Sequence, residues 1–369
     1  MKNPKVVISG YYGYDNCGDE AVLLAMIHCL RTLRPDARIT VLSGNPSKTR
    51  ELYKVEAVNR WNPISILLKL LSCCLLISGG GSLLQDVTSA KSPLYYLAII
   101  NAAMLFRKKV MIFCQGVGPL TSGKNRAKVT KAFDRCDAIA VRDENSAVLL
   151  KDLGVKRDIQ IACDPVMVLS PDDVAGAEAD DMLPDIGITD SAGENRKPLL
   201  MAAVRNWGDN RHIAPVAELL DTQAKRGWNI LLVPAHYPDD IKALEKVTAL
   251  MTERPYRPDK CLTAKQFMAL TSRADKVLSM RLHGLICAFA AGTPMLGLSY
   301  DPKVDAFMAQ AGLGHYCLPA DSFDVDAAEL LLEETGNLPI TIRLALETRR
   351  GEMREQVWAA ARKAAELLS

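Results

Sequence analysis

The sequence predicts an α/β protein made of two doubly wound parallel sheets, and three observations carry that prediction. Short apolar, β-branched-rich runs alternate with segments of helical period along most of the chain. The alternation lapses once, over about 170–197, and then resumes. Residues of unusual chemistry fall just after the apolar runs, where the strands of an open parallel sheet pass into helices.

In the first series the runs are KVVIS (5–9), RITVLS (38–43), CLLIS (74–78), VMIFC (110–114), AIAV (138–141) and IQIAC (159–163). Helices fit between them. Over 19–34 the apolar residues Ala21, Leu24, Ile27 and Leu30 keep the three-to-four spacing, and 143–153 opens with an acidic first turn. The stretch 171–197 is rich in Asp, Pro, Gly and Ala without a sustained apolar period, which marks an interdomain linker. The second series reads LLMAAV (199–204), NILLVPA (229–235), KVLSM (276–280) and PMLGLS (294–299), with helices near 210–226, 238–252, 264–273, 284–291 and 303–311. A charge-rich amphipathic segment closes the chain. The expected layout is an N-terminal Rossmann-like domain over 1–170 on the acceptor side, the linker over 171–197, a donor-side C-terminal Rossmann-like domain over 198–338, and a helical segment over 339–369 crossing back to the first domain. The two sheets are expected to face a cleft.

With 369 residues, 49% of them hydrophobic, the chain is long enough for two sizeable cores. Its net charge of +2 leaves no global positive excess to hold a nucleic-acid backbone, so nucleic acid is not expected as a partner. The ten cysteines form no CxxC pair and sit mostly in apolar runs, as reduced thiols of a cytoplasmic protein do. Met-Lys-Asn-Pro leads into an apolar run too short for a signal peptide. The most apolar stretch, 64–78, contains Lys69 and is shorter than the roughly 20 residues a bilayer span needs. It reads as a helix followed by a buried strand, although its first half, ISILLKLL, also suits a helix lying on a membrane surface. A homo-oligomer is compatible with all of this.

The strand-end residues define the chemistry. GYYGYDNCGDE follows the first run, GGGSLLQD the third, QGVGP the fourth and RDENS the fifth. In the second series Arg205, the Arg281/His283 pair and Lys303 occupy equivalent ends, and guanidinium groups with an ammonium receive carboxylate and phosphate. A small, multiply anionic ligand is therefore expected. Taken singly, each cation is equally explained as a solvated charge or half of an ion pair. His283 alone among the five histidines stands at such an end beside a helix start, which makes it the candidate general acid or base. Asp15 and Asp86 are the candidate proton acceptors, ahead of Asp19, which a helix start explains.

Gly80, Gly81 and Gly284 would let backbone approach a phosphate; tight turns without ligand explain them equally well. Neither glycine loop completes GxGxxG, because Leu84 stands where the third glycine belongs, so a nicotinamide dinucleotide is disfavoured. Tyr11, Tyr12, Tyr14 and Trp207 are candidates to stack on a sugar ring, or ordinary half-buried aromatics. Asp324-Val-Asp326 resembles a metal-holding DxD but precedes a helical run and reads as a cap. No metal ligand set and no cofactor are expected.

GYYGYDNCGDEA, ISGGGSLLQD, QGVGP, VRDENS, SMRLHGLICA and YDPKV, in this order, resemble the polysaccharide pyruvyl transferase family nearly end to end, and within it the CsaB type of Gram-positive bacteria. The resemblance implies a GT-B-like fold, phosphoenolpyruvate as donor, and a cytoplasmic reaction at the inner membrane face on a glycan, possible carriers including polyprenyl diphosphate. It implies a cyclic pyruvate ketal on N-acetylmannosamine of a secondary cell-wall polymer that anchors S-layer proteins. It also assigns donor binding to Arg205, Arg281, Lys303 and Arg142, with His283 as acid. The rivals are a GT-B glycosyltransferase using a nucleotide sugar and a non-catalytic sensor of an anionic metabolite.

Overall fold

The computed structural model describes residues 3–87, 92–170, 178–189 and 196–369. The chain divides into two compact units. The first comprises Met1–Tyr14, Asp19–Val168 and Met353–Ser369; the second comprises Asp15–Gly18 and Leu169–Glu352.

In the first unit, strands β1 (Lys5–Tyr12), β2 (Arg38–Ser43), β3 (Glu56–Asn59), β4 (Leu75–Gly79), β5 (Lys109–Gln115), β6 (Ala138–Val141) and β7 (Gln160–Ile161) form one parallel sheet in the order β3-β2-β1-β4-β5-β6-β7. The crossovers are helices α1 (Cys17–Leu33), α2 (Pro46–Tyr53), α3 (Pro63–Ser72), α4 (Ser92–Leu105), α5 (Gly123–Phe133) and α6 (Glu144–Asp152). Strand β4 is buried over its whole length, the mark of a parallel sheet covered on both faces. Local chemistry sets the helix starts: Asn45, Asn62, Ser122 and Asp143 each accept a backbone N–H of the following first turn.

Helix α7 (Glu178–Ile186) follows, and the second unit continues with β8 (Leu199–Ala203), α8 (Ile213–Lys225), β9 (Asn229–Leu232), α9 (Ile241–Leu250), α10 (Ala264–Arg273), β10 (Lys276–Ser279), α11 (Leu282–Ala291), β11 (Met295–Ser299), α12 (Pro302–Gln310), β12 (Cys317–Pro319) and α13 (Val325–Gly336). Its sheet is parallel throughout, in the order β12-β11-β10-β8-β9. Each unit is thus a doubly wound, Rossmann-like α/β fold with its own apolar core. Helix α14 (Ile340–Glu366) serves both. From Met353 onward it belongs to the first unit, where Met353, Val357, Ala360 and Ala364 are buried and the Met353 carbonyl accepts the Cys163 thiol at 2.9 Å.

Three expectations need correction or placement. Strands β3 and β12 escape an apolar-run search because they are edge strands with few buried residues, EAVN and CLP. Of the linker expected over 171–197, residues 171–177 and 190–195 lie outside the described residues, and its described centre is α7, which packs against α10 and buries Leu183. The DxD aspartate Asp324 caps α13, accepting the Ala327 N–H at 2.9 Å. All ten cysteines are free thiols. Among the described residues no helix is long and apolar enough to cross a membrane.

Candidate active site

A parallel sheet whose strand order reverses opens a crevice at the carboxyl ends of the two strands flanking the reversal. In the second unit the chain winds from β8 to β9 on one side and then to β10 and β11 on the other, so the crevice lies between β8 and β10. The residues that follow these strands are Arg205 and the pair Arg281/His283.

Both arginines reach across their neighbour. Arg205, beyond β8, donates from Nη1 to the Tyr300 hydroxyl at 2.9 Å. Tyr300 follows β11, so this bond passes over β10, spanning two strand spacings or roughly 10 Å. The guanidinium lies 4.9 Å from the Tyr300 ring centroid and 5.8 Å from that of Trp207, a cation–π contact that fixes its plane. Arg281 reaches the opposite way, over β8, to Asp240 beyond β9. It donates from Nε to Asp240 Oδ2 at 3.0 Å and from Nη2 to Oδ1. The crossing holds both guanidinium groups over the β8/β10 crevice.

Their electrostatics differ. Asp240 is 1% exposed and also accepts the Ala235 and His236 N–H groups, so Arg281 is neutralised and oriented by a fully engaged carboxylate. Among the described residues no carboxylate pairs with Arg205. Its loop is steadied by His212, whose Nε2–H donates to the Arg205 carbonyl at 2.8 Å. Burial lowers the His212 pKa against the opposing pull of that hydrogen bond, which keeps the ring neutral and donating.

His283 stands in the first turn of α11, whose start carries no side-chain cap at Arg281. The turn therefore presents the positive end of the helix dipole beside the imidazole. The chain reaches His283 from an unexpected direction. Residues Asp15–Gly18, at the junction of β1 and α1, belong to the second unit: Cys17 N–H donates to the Ala235 carbonyl at 2.8 Å and Tyr237 N–H to the Asp15 carbonyl at 3.0 Å. Gly18 then lies against the imidazole, where a Cβ would fall 2.2 Å from Nδ1. Only glycine fits. Asp15 is thereby placed in the same unit as His283, at a left-handed φ of 56°.

Lys303 extends from the start of α12 and pairs with its own cap residue Asp301 at 3.1 Å. A recess of about 330 Å3 beside Trp207 and Tyr300 is lined by Asp301, Asp305 and Asp321, a charge unsuited to an anionic ligand. Gly284 packs α11 onto β10, since a Cβ there would meet Ser279 Oγ at 2.4 Å.

The remaining candidates belong to the first unit. Arg142 is buried beside Asp143 and Asp164, at 3.5 and 3.7 Å, and donates to Ser82 Oγ at 3.2 Å. Gly80 and Gly81 are left-handed, and a Cβ on them would collide with Val22 Cγ1 at 2.3 Å and Asp19 Oδ1 at 2.7 Å. Close packing on α1 accounts for them. Asp86 is a heavily engaged carboxylate. It accepts Thr121 N–H and Oγ1–H, Ser122 N–H and Asn125 Nδ2–H, all within 3.0 Å. Burial acts to raise its pKa, but these four bonds outweigh it and hold the carboxyl at about 2. Tyr12 is no stacking platform either: it is buried and donates to the Gly79 carbonyl at 2.6 Å. Tyr11 and Tyr14 stack on each other at 4.4 Å.

Sequence reasoning passed over Asp240, Tyr300, His212 and Gly18. Tyr300 stood in view within YDPKV, and Gly18 within DNCGDE. Asp240 lies in the loop run YPDD, where nothing separates a buried carboxylate from a solvated one.

The family model described as polysaccharide pyruvyl transferase matches residues 16–302. No curated protein matches the chain. Among solved structures, the UDP-GlcNAc 2-epimerase of Methanocaldococcus jannaschii is similar with a TM-score of 0.66 and 11% identity, over 91% of this chain and 93% of that one. The UDP-GlcNAc-bound 2-epimerase of Neisseria meningitidis gives 0.60 and 13%, over 99% of both chains. The glycotransferase of kitacinnamycin gives 0.55 and 13%, over the whole of both. At such identities the likeness shows the fold, the GT-B-like pairing of two Rossmann-like domains.

Proposed function

The chain belongs to the polysaccharide pyruvyl transferase family, and from that premise we propose that it moves the pyruvyl group of phosphoenolpyruvate onto a sugar, closing a cyclic ketal and releasing phosphate. The observation that carries this reading is the pair of crossed arginines at the β8/β10 crevice, beside a histidine on an uncapped helix start. Phosphoenolpyruvate carries a carboxylate and a phosphate, and this corner of the fold offers Arg205, the remaining N–H groups of Arg281 and the α11 dipole to receive them.

His283 protonates the methylene carbon of the donor, which leaves an oxocarbenium-like carbon stabilised by its enol oxygen. A sugar hydroxyl attacks that carbon and gives its proton to a base, for which Asp15 remains the candidate. Phosphate then departs with the electrons of its C–O bond. A second hydroxyl of the same sugar attacks, loses its proton and completes the ketal, so the acceptor must present two hydroxyls in register. Gly18 and Asp240 position the acid and the clamp. Lys303 stays as a secondary donor contact by family resemblance. The acceptor we propose is N-acetylmannosamine of a secondary cell-wall polymer precursor, carried on a polyprenyl diphosphate at the inner face of the membrane and serving S-layer anchoring.

The test incubates the protein with phosphoenolpyruvate and a disaccharide containing N-acetylmannosamine. Mass spectrometry showing a pyruvate adduct with stoichiometric phosphate release supports the reading. Transfer from a nucleotide sugar with release of a nucleoside diphosphate would favour the glycosyltransferase alternative, and donor binding without turnover would favour a sensor.

A further inference from the structure

Helix α3 turns an apolar face outward. Ile66 and Leu70 are its buried residues, whereas Ile64, Leu67, Leu68 and Leu71 are exposed, Leu68 by 61%. Trp61, just before the helix, is 66% exposed and continues the stripe at 61, 64, 68 and 71. Its ring is held rather than loose: Nε1–H donates to the Tyr14 hydroxyl at 3.2 Å, and its inner side meets Tyr95 at 5.2 Å and the buried Arg60 guanidinium at 5.4 Å.

Helix α3 has no acidic residue, and Glu56 beside it is answered by Lys69 at 2.5 Å. At the far end Lys108 lies close enough to act electrostatically on the Cys73 thiol, within the turn Arg107-Lys108 that follows α4, the helix packed on α3. Leu105, at the end of α4, is also exposed. A second copy of the chain would need some 20–30 residues on each side for a stable contact, far more than one three-turn helix supplies. Aliphatic side chains, a tryptophan at one end and lysine and arginine at the other fit the boundary of an anionic bilayer.

We propose that the Trp61–Leu71 face docks the protein on an anionic phospholipid surface, the leucines entering the acyl boundary while Lys108 and Arg107 meet the headgroups. This deepens the reading of a membrane-borne acceptor and rests on it for its purpose. The test is sedimentation of the full chain with vesicles of phosphatidylcholine, with and without phosphatidylglycerol, alongside phosphate release on a water-soluble acceptor. The protein should pellet with the anionic vesicles, and a Leu68→Ser, Leu71→Ser variant with unchanged melting should partition about tenfold less or weaker still. Lys108→Glu should weaken binding to the anionic vesicles alone. The proposal is overturned if the unaltered protein stays in the supernatant, if the double variant pellets equally, or if light scattering shows that variant converting a dimer to a monomer. Vesicle binding without phosphate release on the soluble acceptor would sink the proposed reaction and leave the docking face standing.

Discussion

Both units are parallel, doubly wound sheets that end in glycines and arginines, yet they use those residues oppositely. In the first, Gly80 and Gly81 are consumed by packing on α1, Arg142 is enclosed between two aspartates, and Asp86 spends its oxygens on Thr121, Ser122 and Asn125. In the second, Arg205 has aromatic rather than acidic neighbours, Arg281 is oriented by a single carboxylate, and α11 begins without a cap beside His283. A strand end offers a crevice in either sheet; what differs is whether neighbouring side chains have already satisfied its polar groups.

The sharpest way to break that contrast is His283→Ala. It should lower turnover about 100- to 10,000-fold while donor affinity changes little, read from phosphate release and calorimetric titration of phosphoenolpyruvate. Unchanged turnover would take His283 out of the chemistry and leave the second unit no more reactive than the first.

Next in size is Asp240→Asn, which strips the carboxylate from a buried pair. A loss of about 3 kcal/mol in denaturant unfolding is expected, with weaker donor binding as Arg281 loses its orientation. A silent variant would show that Arg281 needs no partner.

Gly80→Ala probes the packing role of the first unit's glycines. Its left-handed φ and the collision with Val22 predict about 1–3 kcal/mol of destabilisation with donor affinity intact. Lost affinity at unchanged stability would move phosphate recognition to that loop.

The smallest effect concerns acid. Because the folded-state pKa of Asp86 lies below the ordinary aspartate value of 3.8, its contribution is complete above that value and disappears as pH falls through about 2. Asp86→Asn should flatten that acid limb in thermal melts and cost about 1 kcal/mol near neutrality as its bonds to Thr121, Ser122 and Asn125 weaken. An unaltered limb would assign acid sensitivity to other carboxylates.

The parallel α/β class, most strands and the strand-end position of Arg205, Arg281 and His283 were legible from periodicity, because apolar runs and turn residues are local signals. Edge strands β3 and β12 were not, since half-exposed strands lack such runs. Asp86 looked like any loop carboxylate, and only hydrogen bonds from residues 35 to 39 positions away show how it is held.

The sequence by itself determined where the strands end and which charges stand there. Tertiary structure decided which of those charges were already spent. Asp240 comes to Arg281 from 41 positions away and Tyr300 to Arg205 from 95. It also decided that Gly18 meets His283, a contact that closes only when the chain has folded back on itself. Hydrogen bonds and ion pairs act over a few ångströms, so their partners are fixed by strand order and packing, which no local pattern encodes.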